Sequence, residues 1–383
     1  MSVTFSQGFE AAGVSAGLKS SGGLDLALVV NRGPKFDATA VFTSNRSKAN
    51  PILWSEQVIA DGIVNAVVLN SGGANCFTGS KGFQITHATA DRVAELLDIS
   101  AGDVLVCSTG LIGEQLNFEL LLRGVDAAVS GLSADGGEDA ARAIMTTDTV
   151  PKLASTEGSG WRIGGMAKGA GMLAPALATM LVVITTDALV PSEVLDSALS
   201  EAVELSFNRL DSDGCTSTND QVTLLASGAS GVIPEQSEFQ ARLNELCANL
   251  ASQLIADAEG ASHEVAIHVS GAATQEDAKE VGRAVARSNL FKAAIFGNDP
   301  NWGRVLAAIG TTKATFDPCN VDVSMNDVRV CHKGQADVPR TEVDLRPRNV
   351  NIEINLFSGA EQATILTNDL TIEYVHENSS YAS

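Results

Sequence analysis

The sequence predicts an α/β protein of stacked mixed β-sheets flanked by helices. Three observations carry that expectation. Short runs rich in Val and Ile recur along the chain and alternate with longer helical patterns. The runs are of two kinds: His263-Glu264-Val265-Ala266-Ile267-His268-Val269 alternates apolar and polar residues, which suits a sheet with one exposed face, whereas Leu181 to Ile184 is apolar throughout and suits a sheet covered on both sides. Finally, 45% of the 383 residues are apolar, enough for an ordinary packed core, and no tandem repeat or low-complexity linker interrupts them.

Taken in order, strands are expected over 26–31, 67–70, 103–108 and 181–185, then over 263–269, 321–325, 350–356 and 363–367. Helices are expected over 118–132, 191–205, 237–259 and 275–290. Pro191 followed by Ser192 and Glu193 is a helix-start signal, and Gln275-Glu276-Asp277 sets acids at another N-terminus, where the helix dipole favours them. The densest loop composition is Ser155-Thr156-Glu157-Gly158-Ser159-Gly160, followed closely by a glycine-rich run over 164–173.

Charge and composition exclude several classes of function. With 25 Lys and Arg against 46 Asp and Glu, the net charge is −21, a field that repels phosphate backbones and anionic lipid. Neither nucleic acid nor a membrane is an expected partner, and the plainest reading of the charge is solubility. Six cysteines at irregular spacing, with no CxxC pair, fit reduced thiols in cytoplasm, and the N-terminus lacks a basic segment followed by an apolar one. Five histidines form neither HExxH nor HxH, so a metal is not expected. The GxSxG pattern at Gly13–Gly17 is expected to follow no strand and open no helix, as a nucleophile elbow would have to. The glycine run matches neither a dinucleotide fingerprint nor a P-loop, and no cofactor is expected.

What remains is Thr179 in Pro175-Ala176-Leu177-Ala178-Thr179-Met180-Leu181, between the glycine run and the strand at 181–185. An N-terminal Thr carries its own base, because an α-amino group has an ordinary pKa of about 7.7–8.0 and can accept the proton of its own hydroxyl. Such an amine exists inside a chain only if the preceding bond is broken, and the small Ala178 leaves its carbonyl open to attack. The residues alone leave a second reading open, that Thr179 is a β-branched residue beginning a strand.

The segment 168–188, KGAGMLAPALATMLVVITTDA, resembles the autoprocessing segment of the ornithine acetyltransferases, or glutamate N-acetyltransferases, of arginine biosynthesis. The resemblance extends, in family order, to Cys107-Ser108-Thr109-Gly110-Leu111-Ile112-Gly113, Met145-Thr146-Thr147-Asp148-Thr149, Asp257-Ala258-Glu259-Gly260, the 296–304 segment FGNDPNWGR and the C-terminal 374–381 segment YVHENSSY. It covers essentially the whole chain. It implies an ornithine acetyltransferase or DmpA-like fold, cut between Ala178 and Thr179 into an α chain, 1–178, and a β chain, 179–383. Thr179 is then the nucleophile, Thr109 and Gly110 are the oxyanion-hole pair, and Thr146, Lys168, Thr179, Glu259, Asn378 and Ser383 bind substrate. Residue type fits Lys168 to an α-carboxylate and Glu259 to a side-chain ammonium.

The implied reaction moves acetyl from N2-acetylornithine to glutamate in ping-pong fashion through acetyl-threonine, without cofactor, in an α2β2 heterotetramer; some members of the family also take acetyl from acetyl-CoA. Alternatives are an N-terminal-nucleophile amidohydrolase or aminopeptidase, in which water replaces glutamate, and a non-catalytic amino-acid binder whose chain stays whole. Two stretches depart from the family: residues 70–79 read NSGGANCFTG where NSGNANACTG is common, and Glu259-Gly260-Ala261-Ser262-His263 stands where EGATK is common. The second removes a Lys near Glu259. Trp302 is expected to pack rather than catalyse.

Overall fold

The structure is a computed structural model that describes residues 2–20, 22–174 and 180–380. In chain order its strands are β1 (Phe9–Val14), β2 (Leu26–Asn31), β3 (Asp37–Phe42), β4 (Ala66–Asn70), β5 (Val104–Ser108), β6 (Lys152–Gly158), β7 (Trp161–Lys168), β8 (Leu181–Thr186), β9 (Gln221–Ala226), β10 (Glu264–Ala272), β11 (Asp322–Met325), β12 (Val328–His332), β13 (Gln335–Ala336), β14 (Asn349–Asn355) and β15 (Glu361–Asn368). The α-helices are α1 (Asn50–Val58), α2 (Gly79–Leu97), α3 (Phe118–Ser130), α4 (Gly137–Ala143), α5 (Ser192–Leu205), α6 (Gln236–Ala256), α7 (Gln275–Ala286), α8 (Asn289–Phe296), α9 (Trp302–Ile309) and α10 (Ile372–Ser380).

Three sheets form, ordered β1-β2-β4-β5, β3-β9-β8-β7-β6 and β13-β12-β11-β14-β10-β15. The period of two along each strand stacks the first two sheets. In β2, Ala27 and Val29 point into a core shared with Met166, Leu181, Val183 and Leu225 of the five-stranded sheet. Leu26, Leu28 and Val30 point the other way, onto Ile85 and Val93 of α2 and Leu121 and Val125 of α3. In β8, Leu181 and Val183 face the shared core, while Val182 and Ile184 face a second core with Leu195 and Leu199 of α5 and Leu243, Leu246 and Leu250 of α6. The order of layers is helices, sheet, sheet, helices, and β8 is apolar on both faces because both are covered. The six-stranded sheet has its own core, in which Val265, Ile267 and Val269 of β10 meet Val281 and Val285 of α7.

The stacked α/β architecture is the one the sequence predicts, with local corrections. Ser155–Gly158 is not loop but the end of β6, which pairs antiparallel with β7 from Gly158↔Trp161 to Lys152↔Ala167. Gly13 lies within β1, so the GxSxG pattern does follow a strand; the next element is β2, and no helix opens there to make an elbow. Trp302 packs, half-buried, against the core under the six-stranded sheet.

Candidate active site

Two sheet ends define the site. β4 and β5 run parallel, from Ala66↔Val104 to Asn70↔Ser108, and finish together. Thr109 follows directly, with its N–H on the Asn70 carbonyl (2.9 Å) and its own carbonyl accepting from the Gly73 amide (3.0 Å). Gly110 sits at φ 120°, in the region that favours glycine, and a Cβ there would lie 3.0 Å from the Gly73 nitrogen. Only glycine fits this turn without strain. Across from it, the five-stranded sheet brings Lys168, the last residue of β7, beside Leu181 of β8, which in turn pairs with Gln221 of β9.

Lys168 joins the two sheets. Its Nζ donates to Thr146 Oγ1 (2.8 Å) and to Thr109 Oγ1 (3.3 Å), and the residue is only 1% exposed. Because Thr109 Oγ1 accepts from an ammonium, its own proton is free to point at another acceptor, as an oxyanion donor must. Burial pushes the Lys168 ammonium below its ordinary value and Lys152 adds to that, while Asp148, Asp220 and Glu259 pull it back. Asp148 is the carboxylate that acts on it most strongly. It accepts from Lys152 Nζ (2.5 Å), the Gly169 N–H (2.7 Å) and the Thr146 N–H (3.0 Å). Burial raises the Asp148 carboxyl, but Lys168, Lys152 and the Thr146 amide outweigh it and hold the acid at about 2. Lys152 also pairs with Asp257, which accepts the Thr149 N–H (2.9 Å), so the 146–149 loop is tied at both ends.

A second cluster surrounds Glu259. Its Oε1 accepts from Thr147 Oγ1 (2.7 Å), its Oε2 from Asn378 Nδ2 (2.9 Å), and its N–H donates to the Ala170 carbonyl two residues beyond Lys168. Asn378 lies on α10, whose start packs on Gly260; a Cβ at Gly260 would come within 2.3 Å of the Tyr374 nitrogen. Glu259 faces a cavity of about 450 Å3 also lined by Ser212, Asp213, Arg287, Lys292 and Tyr374. The structure thus gathers Thr109, Gly110, Thr146 and Lys168 at one end of the site and Glu259 with Asn378 at the other. Ala178, Thr179 and Ser383 lie outside the described residues.

Several site residues were not foreseen. Asn219 Nδ2 donates to the carbonyls of Ala74 (2.6 Å) and Ser108 (2.9 Å), fixing the turn beside Thr109. Asp220 accepts the Met180 N–H (3.1 Å), and the Gln221 N–H reaches the Met180 carbonyl (3.2 Å), so the start of β8 is held from both sides. Met172 adopts φ 54° with its N–H on Asp213 Oδ2 (2.6 Å). The polar run Ser217-Thr218-Asn219-Asp220 just ahead of the apolar β9 was the available signal. His263, where the family commonly has Lys, is turned away from Glu259: its Nδ1 meets Asp369 Oδ2 (2.8 Å) and its Nε2 the Leu345 carbonyl (3.1 Å).

Among the described residues no helix is long and apolar enough to cross a membrane. The ArgJ family profile matches residues 10–383. The arginine biosynthesis bifunctional protein ArgJ of Streptomyces avermitilis is 61% identical over 383 residues, 100% of each chain. The protein of the same name from Thermobifida fusca is 57% identical over 383 residues, again 100% of each. A crystal structure of ornithine acetyltransferase complexed with ornithine, from Mycobacterium tuberculosis, is 52% identical over 47% of this chain and 96% of that one, with a TM-score of 0.45. With a family match running from the first strand to the last residue and relatives identical at more than half of all positions end to end, this chain belongs to the ArgJ family.

Proposed function

We propose that the protein is a glutamate N-acetyltransferase of arginine biosynthesis that takes its acetyl group from N2-acetylornithine and carries it on Thr179. The observation that carries this reading is the Lys168 ammonium, buried between the stacked sheets, holding the Thr109 hydroxyl while Lys168 itself pairs across the sheet with Leu181, two residues beyond Thr179. The chain first cuts itself between Ala178 and Thr179, giving chains 1–178 and 179–383. The freed Thr179 amine then accepts the hydroxyl proton as Oγ attacks the acetyl carbonyl of acetylornithine. The Thr109 hydroxyl and the Gly110 N–H donate to the oxyanion, ornithine leaves, and glutamate collects the acetyl from the threonine ester by the reverse path.

At the α-carboxylate of either amino acid, Lys168 supplies the cation, aided by Thr146. Glu259, oriented by Thr147 and Asn378, takes the side-chain ammonium of ornithine, and Ser383 is a further substrate-binding residue. The relatives are named bifunctional, and acetyl-CoA is the second donor proposed for the same Thr179 ester. The two chains remain together because β7 of the first and β8 of the second are neighbours in one sheet; the assembly proposed is α2β2, in cytoplasm. The test is Thr179→Ala beside wild type: the variant stays one chain and transfers no acetyl to glutamate. Cleavage or turnover in the variant refutes the assignment, and acetate released at equal rates with and without glutamate would mark a hydrolase instead.

A further inference from the structure

The Thr109 hydroxyl and the Gly110 N–H can serve as oxyanion donors only if the turn that carries them is held still, because a group displaced by about 1 Å can cost about 10²-fold in rate. Resting on that reading of Thr109 and Gly110, we infer that Asn219 is a positioning residue for acetyl transfer. Its side-chain amide ties together the two segments that set the direction of both donors.

Asn219 lies just ahead of β9 and is buried. Its Oδ1 accepts from the Thr218 hydroxyl (2.6 Å), which leaves both Nδ2 hydrogens for the carbonyls of Ser108 (2.9 Å) and Ala74 (2.6 Å). Reversing the amide would set an oxygen against two carbonyl oxygens, so the network fixes its orientation. The backbone around it is held as well, by the Asn219 N–H on Ser217 Oγ (3.1 Å) and by the Ala49 N–H on the Thr218 carbonyl (3.0 Å).

The two carbonyls belong to the two sides of the turn. In a trans peptide the C=O and the N–H point in opposite directions. The Ser108–Thr109 peptide is therefore gripped at both ends, its carbonyl by Asn219 and its N–H by the Asn70 carbonyl (2.9 Å), so the side chain of Thr109 springs from a fixed plane. Ala74 lies in the facing segment, where the Gly73 N–H donates to the Thr109 carbonyl and the Ala74 N–H to the Leu111 carbonyl, each at 3.0 Å. Because the Thr109 carbonyl points at Gly73, the Gly110 N–H of the same peptide points the other way. Asn219 thus bears on Thr109 through Ser108, and on Gly110 through Ala74 and Gly73. Ser108 and Ala74 fall in the proposed chain 1–178 and Asn219 in the proposed chain 179–383, so after the cut one chain holds the donors of the other.

The experiment measures kcat and KM for N-acetylglutamate formation from N-acetylornithine and glutamate by full-length wild type, Asn219→Ala, Thr109→Ala and the double variant, with rates normalised to the fraction of chain cut as read by intact mass. Asn219→Ala melts cooperatively, loses about 10- to 100-fold in kcat and keeps both KM values within about threefold, a split that a bond serving stability alone would not produce. In the Thr109→Ala background the same substitution costs at least about fivefold less than in wild type, because two changes that act through one donor are not additive. If Asn219→Ala fails to melt cooperatively, Asn219→Asp takes its place in the same cycle: it keeps the volume and an acceptor for the Thr218 hydroxyl and puts an oxygen where the donors were. A folded Asn219 variant with kcat within about threefold of wild type, or an equal loss in both backgrounds, overturns the inference while a slow Thr109→Ala leaves the oxyanion reading standing. A Thr109→Ala enzyme as fast as wild type removes that reading, and the inference with it.

Discussion

On the proposed mechanism, replacing Thr109 by Ala removes one oxyanion donor and little else. The backbone of Thr109 is fixed by its own N–H on Asn70 and by the Gly73 N–H on its carbonyl, and neither bond involves the side chain. The side-chain bond lost in the ground state is the 3.3 Å contact from Lys168, whose shorter bond to Thr146 remains. Its loss costs about 1 kcal/mol of stability, a typical net value for one hydrogen bond. In the proposed transition state the same hydroxyl, on a residue only 2% exposed, faces developing negative charge, where one donor is worth about 10²–10³ in kcat, or about 2.7–4 kcal/mol. The expected result is a fall of that size in kcat with KM changed by less than about threefold, since the interaction is made only in the transition state. Thr109→Ser, which keeps the hydroxyl, restores most of the rate. The assay is the initial rate of N-acetylglutamate formation, normalised to the fraction of chain cut as read by intact mass. A kcat within about threefold of wild type for Thr109→Ala, or a Ser variant no faster than the Ala variant, would refute the oxyanion role.

Two further variants have expected outcomes. Asp148 is held at about 2 against an ordinary 3.8, so it stabilises the fold on the order of 2 kcal/mol above pH 4 and loses that contribution as pH falls through about 2; urea midpoints across that range should slope less for Asp148→Asn. The same variant leaves Lys152 and Lys168 buried with less counter-charge and should be less stable at neutral pH by about 3–5 kcal/mol, measured by the same unfolding curves. His263→Ala should lower stability by about 1–3 kcal/mol by removing the buried imidazole's bonds to the Asp369 carboxylate and the Leu345 carbonyl, yet leave the KM values for acetylornithine and glutamate within about twofold, because the imidazole faces Asp369 and Leu345 rather than Glu259.

The sequence disclosed those parts of the molecule whose cause is local. The runs at 26–31 and 181–185 became β2 and β8 because consecutive apolar residues, Leu26–Val30 and Leu181–Ile184, need cover on both faces, and the layers supply it. It hid β7, since Gly164 and Gly165 read as loop. In the structure they are packing glycines: a Cβ on Gly164 would lie 2.0 Å from the Ser2 carbonyl, and one on Gly165 would press on Leu246 and Leu250. Lys168 stands in the same glycine-rich run, and the structure sets it at the end of a buried strand segment, 163–168. α2 escaped because its inward face is built from Gly82, Thr86, Thr89 and Ala90 as well as Ile85 and Val93.

Thr109, Gly110, Thr146, Lys168, Glu259 and Asn378 were candidates through the family's motifs, and the structure supplies the bonds from Lys168 to Thr109 and Thr146 and from Asn378 to Glu259. Asn219 and Asp220 were not. Their roles lie in partners far along the chain, as with Asn219 on Ala74 and Asp220 on Met180, and no spacing within a single segment encodes such a pairing.

The mass of the purified protein before and after exposure to N-acetylornithine alone bears on the whole mechanism. Two chains are expected in place of one species of 39.7 kDa, the second beginning at Thr179 and gaining one acetyl group that added glutamate removes. A single uncut chain that nonetheless transfers acetyl, or a cut chain acetylated anywhere but Thr179, would contradict it.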